Sequence, residues 1–168
     1  MFKLERVTTE YIEGEDRVRV TGQTADAGSV ILWLTRRMLD RLMATLFDIL
    51  GKSYADPAYG SIRNEFAQEA AVSTLVPQPP VVPPDTEAPK SWLVRLVNVS
   101  KNEVAVVLTF KSEDELDQAS LALEYVQLRQ WMSIVDRAYK KGDWPRINWP
   151  DWFLDPLEGK SQEVLVKH

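Results

Sequence analysis

Twenty-five carboxylates, twenty lysines and arginines, one histidine and no cysteine bound the chemistry open to this 168-residue chain. Without a thiol, thiolate catalysis, disulfide staples and cysteine metal sites are excluded. His168 is the last residue, where a chain is usually frayed, and is expected to be inert. Neither a histidine-activated nucleophile nor a histidine zinc site is expected. Carboxylate chemistry remains open, because glycoside hydrolysis needs only two acids at a fixed separation. The spacing singles out no such pair. Glu113, Asp114, Glu115 and Asp117 could offer oxygen ligands to magnesium or calcium. Acids in the first turn of a helix are favoured by capping and by the macrodipole, and that reading is preferred. No calcium loop, phosphate loop, dinucleotide fingerprint or nucleophile elbow is visible. No catalytic residue, metal or cofactor is therefore expected.

Two groups stand out as binding candidates. Arg36, Arg37 and Arg41 cluster near a helix start and could hold an anion or an acidic partner, with Asp40 as a local counter-ion. Trp144, Trp149, Trp152 and Phe153 lie among Pro145, Pro150 and Pro156 in an irregular tail spanning 143–156. Such a set can form a platform for a partner, a sugar or a proline-rich peptide, or it can pack back on its own core. A third arrangement would have these rings hold the chain's own segment Pro77–Pro89, since aromatic grooves and polyproline ribbons are complementary.

The elements that must position these groups are predicted as follows. Phe2–Ile12 and Arg17–Thr21 are strands, the second alternating strictly about Val18 and Val20. Val30–Leu34 is a third strand, and Thr35 caps a helix over Arg36–Leu50 that stops at Gly51. Asp56-Pro57 opens a second helix with the narrow apolar stripe Tyr59, Ile62, Phe66 and Ala70. The segment 77–90 is a proline-rich connector, with six of the ten prolines between Pro77 and Pro89. Beyond it, Trp92–Val99 and Val104–Phe110 form a hairpin, and Ser112–Glu115 opens a long helix running to about Lys141. The expected fold is thus α+β: one domain with about five mostly antiparallel strands and three helices largely on one face, in the order β-β-β-α-α-connector-β-β-α. Val30–Thr35 and Val104–Thr109 share an apolar rhythm that would suit a duplicated strand–strand–helix unit, but the match is short and nearly all apolar, and chance is the preferred explanation.

A net charge of −5 and a sequence pI near 5.0 argue against nucleic acid and anionic lipid. Charged residues interrupt both the N-terminus and the apolar run Val30–Leu50, so no signal peptide or membrane span is expected and the cytoplasm is the expected location. The favoured function is a non-catalytic interaction, assembly or adaptor protein, self-associating as a homodimer. The alternative is a small-molecule or carbohydrate binder, possibly a carboxylate-based enzyme, with a pocket lined by Trp33, Trp92 or Trp131.

Overall fold

A computed structural model describes residues 1–154 apart from 55, 84, 86 and 87. Pro84, Pro156, His168 and the expected loose last dozen residues lie outside the described residues. The fold is α+β, with seven strands in one mixed sheet and three helices. Strands β1 (Phe2–Ile12), β2 (Arg17–Thr24) and β3 (Ser29–Leu34) form an antiparallel meander that leads into helix α1 (Arg36–Ser53). Helix α2 (Gly60–Ser73) and the proline segment follow. Then come β4 (Lys90–Leu93), β5 (Leu96–Lys101), β6 (Ala105–Lys111), β7 (Gln118–Glu124) and helix α3 (Tyr125–Lys141).

Strand order is β4-β3-β2-β1-β7-β6-β5, so the two edge strands are consecutive in the chain and only Val94 and Arg95 separate them. The Val94 N–H donates to Trp33 O at 2.9 Å and the Arg95 N–H to Lys111 O at 2.9 Å. The chain therefore steps directly from one edge to the other, and the sheet must curl until its edges meet. Inside the curl the alternate residues Val18, Val20, Leu32, Leu34, Val106, Leu108, Phe110 and Leu121 are buried.

Each half repeats one topology. The opening strand begins parallel to the last strand of the other half: β1 against β7 at Phe2–Leu4, and β4 against β3. It then kinks and runs antiparallel to the second strand of its own half, β1 on β2 and β5 on β6. The third strand leads into a capped helix, by Thr35 in one half and Glu124 in the other. Core residues correspond at constant spacing: Leu32 with Leu121, Leu34 with Leu123, Leu39 with Leu128, Met43 with Met132, Leu46 with Val135 and Leu50 with Tyr139. The repeat thus matches β3 with β7, whereas the apolar rhythm in the sequence had set β3 beside β6.

The extra strands correct two expectations. Gln118–Glu124, expected as the start of the long helix, is a strand in which Ala119, Leu121 and Leu123 alternate inward. The true start of α3 is a capping box between Glu124 and Gln127. Ser112–Glu115 is a turn instead: the Ser112 hydroxyl donates to Asp114 Oδ1 at 2.6 Å, and Glu115 takes a positive φ of 59°. The expected strand Trp92–Val99 is split at Val94–Arg95 because its two ends pair with different neighbours. Helix α1 continues through Gly51 to Ser53, and α2 begins at Gly60, after a turn in which Asp56 Oδ1 accepts from the Ala58 N–H.

The tail is fastened at Asp16, which adopts a left-handed φ of 47°. Its carboxylate accepts from the Tyr11 hydroxyl at 2.7 Å and from Trp144 Nε1 at 3.0 Å. These bonds hold the Asp16 carboxyl below the usual carboxylate range, while the shared bond pushes the Tyr11 phenol up to about 12. A lowered folded-state value adds stability that is complete above the unfolded value of about 4 and is lost as pH falls through the folded value. Asp16→Asn should therefore lower the thermal midpoint at pH 7 and converge with the wild type near pH 2. A gap of equal size at both pH values would contradict this.

Candidate functional site

Helix α2 places its side chains the opposite way from the usual amphipathic helix. Gly60, Asn64, Gln68 and Ala71 are buried, while Tyr59 (60% exposed), Ile62 (49%) and Phe66 (66%) face solvent. The apolar stripe expected to seat the helix on the core is its outer face. The inversion has a local cause, because α2 packs on α3 through polar bonds. Gln68 Nε2 donates to Arg129 O at 3.0 Å, and Gln130 Nε2 donates to Ala71 O at 2.9 Å. Arg129 donates to Asn64 Oδ1 at 2.8 Å and to Asn64 O at 3.4 Å. These bonds between buried groups fix the rotation of the helix and leave the rings outward. Gly60 is required at the start, since a Cβ there would lie 2.1 Å from the Tyr54 carbonyl oxygen.

Arg129 is 5% exposed, and among the described residues no carboxylate lies within ion-pairing distance of it. Its other neighbour is the ring of Trp152, 5.6 Å from the guanidinium carbon. Burial holds its pKa below the usual arginine value.

The tryptophan tail divides in two. Trp144 and Trp149 are buried, whereas Trp152 and Phe153 are half-buried. Trp149 packs on Tyr139 at 4.8 Å, Phe47 at 5.3 Å and Phe153 at 5.5 Å. Trp144 meets Tyr139 and Tyr11 edge-on at 5.3 Å and 5.5 Å. The tail thereby bridges α1 and α3, and the Tyr139 hydroxyl adds a 2.6 Å bond to Asp40.

The proline segment lies elsewhere. The Arg6 guanidinium donates to Pro79 O at 3.2 Å, and the Val81 N–H donates to Thr8 Oγ1 at 2.8 Å, so the segment follows β1. Pro77 and Pro79 line a cleft of about 490 Å³ with Thr8, Thr9 and Trp131, and the tail tryptophans are not part of it. This corrects the idea that the tail holds the prolines. Trp131 is the tryptophan of that cleft, and its Nε1 donates to Thr9 Oγ1 at 3.0 Å.

Arg36, Arg37 and Arg41 are all exposed on α1. Arg36 Nε stands 4.0 Å from Asp40 Oδ2, while Arg37 and Arg41 neighbour each other one turn apart. The acidic run is occupied by local partners. Glu113 pairs with Arg95 at 3.4 Å, Glu115 with Lys111 at 3.9 Å, and Asp117 with Lys90 at 2.6 Å. Among the described residues no helix is long and apolar enough to cross a membrane.

Sequence reasoning missed the outward face of α2 and the buried guanidinium. The signal for the first was present: Asn64, Gln68 and Ala71 form a second stripe opposite Tyr59, Ile62 and Phe66. By the ordinary rule of helix amphipathicity the apolar stripe is the buried one. Comparison with protein-family models, with curated proteins and with solved structures finds no match.

Proposed function

We propose that this chain is a non-catalytic interaction or assembly module that self-associates through the outer face of α2. The observation that carries the reading is the outward stripe Tyr59, Ile62 and Phe66 on a helix whose inner side is committed to polar bonds. Taking such side chains out of water stabilises a complex by about 1.5–3 kcal/mol for each one fully buried. Grouped exposed apolar residues of this kind mark docking surfaces.

A second copy suits the face because its charges are self-complementary. Arg63 lies on one flank of the stripe and Glu65 and Glu69 on the other, and none of the three forms an ion pair among the described residues. Two α2 helices packed parallel about Ile62 and Phe66 set Arg63 of one copy on the side occupied by Glu65 and Glu69 of the other. This is the isologous pattern of a two-fold dimer. The face is small, which suits a weak, concentration-dependent association.

The absence of cysteine offers a direct test. Ile62→Cys or Phe66→Cys introduces the only thiol, and mild oxidation should then yield a covalent dimer. Arg37→Cys, exposed on α1, should stay monomeric under the same conditions. No dimer from either stripe variant, or equal yield from the control, would overturn the reading.

A further inference from the structure

We propose that Arg129 anchors a binding site for a small monocarboxylate with an apolar body, in the cleft between α2, the start of α3 and the end of α1. Helix α3 begins at Tyr125, so Arg129 lies in its second turn, near the positive end of the helix dipole. A buried guanidinium in that position receives no help from the helix. Among the described residues it has a neutral amide, a backbone carbonyl and a ring face for partners. A buried charge without an opposite charge is destabilising, and a bound anion would offset that cost.

The cleft beside it, of about 710 Å³, supplies the room. Its walls carry Ala67, Ala70 and Val126 with the rings of Tyr54 and Tyr125, an apolar surface suited to an aryl or alkyl body. The Tyr125 hydroxyl already donates to Asn102 O at 2.8 Å, whereas the Tyr54 hydroxyl makes no hydrogen bond among the described residues. Tyr54 can therefore donate to the second carboxylate oxygen. Glu103 stands exposed on the same wall. Its charge disfavours sulfate or phosphate and leaves a single negative charge as the best fit.

The site stands apart from self-association, and its test does not depend on a dimer. Phenylacetate serves as the probe and sulfate as the comparison, at matched ionic strength. In nitrogen-15 spectra of the wild type, the Arg129 Nε–Hε signal is assigned by its loss in Arg129→Lys. Phenylacetate should move that signal saturably, with sulfate at least tenfold weaker, while the signals of Arg36, Arg37 and Arg41 stay in place. Arg129→Gln, with the amide signals of its sheet unchanged, should lose the response of the surrounding amides. The wild-type titration stands by itself if that variant does not fold. An Arg129 signal that does not move, that moves equally with sulfate, or that moves together with the α1 arginines would overturn the proposal.

Discussion

Trp149→Ala is expected to destabilise the fold by about 3–5 kcal/mol, the usual cost of truncating a buried tryptophan. In a chain of this length that lowers the thermal midpoint by roughly 10 °C. The cost is high because Trp149 is 8% exposed and touches Phe47 of α1, Tyr139 of α3 and Phe153 of the tail. Removing it opens a cavity among three rings that belong to separate elements and cannot collapse together. Trp152→Ala should cost only about 1 kcal/mol, because that ring is half-buried and its specific contribution is the face it offers to Arg129. Chemical denaturation of the two variants separates the roles. A tail that served mainly as a partner platform would give the opposite pattern, with Trp149→Ala as stable as the wild type.

Much of the fold was legible because period decides it. Val18 and Val20 alternate, Leu39, Leu42, Met43 and Leu46 recur at helical spacing, and both patterns hold in the structure. The failure over 112–124 has a physical cause. Ser112–Glu115 satisfies the local rule for a helix start, yet Asp114 uses its carboxylate to close a turn. The alternation of Ala119, Leu121 and Leu123 was the competing signal, overshadowed by the strong helix period that begins at Leu128. The break at Val94–Arg95 was not legible at all. It comes from a long-range exchange of partners between Trp33 and Lys111, and neither residue is near in sequence. The repeat was hidden because its matched core residues, such as Leu32 with Leu121 and Met43 with Met132, are separated by residues that differ between the halves, as Trp33 differs from Ala122 and Asp40 from Arg129.

The candidate site was less legible than the fold. Tyr59, Ile62 and Phe66 were recognisable as a stripe, but its direction depends on Asn64 and Gln68 meeting α3 some sixty residues later. Arg129 carried no sequence signal, because one arginine among ordinary helix residues reads as a solvated position. Only packing shows that its guanidinium is enclosed with no counter-ion among the described residues.

Replacing Ile62 and Phe66 together by aspartate is expected to abolish self-association while leaving the fold intact. Both side chains are exposed in the single chain, so the change should alter stability by no more than about 0.5 kcal/mol. In the proposed dimer the same change sets four carboxylates in the centre of the contact, where desolvated like charges repel. The association constant should fall at least a hundredfold. Arg63→Glu should act in the same direction but more weakly, since it alters the rim and leaves the apolar centre in place.

The most direct measurement is sedimentation velocity of the wild type and of the Ile62→Asp, Phe66→Asp variant, each over a hundredfold range of concentration. The predicted result is a wild-type mass that rises from one chain towards two, beside a folded variant that remains a monomer throughout. A wild type that stays monomeric at every concentration, or a variant that associates equally well, would contradict the account.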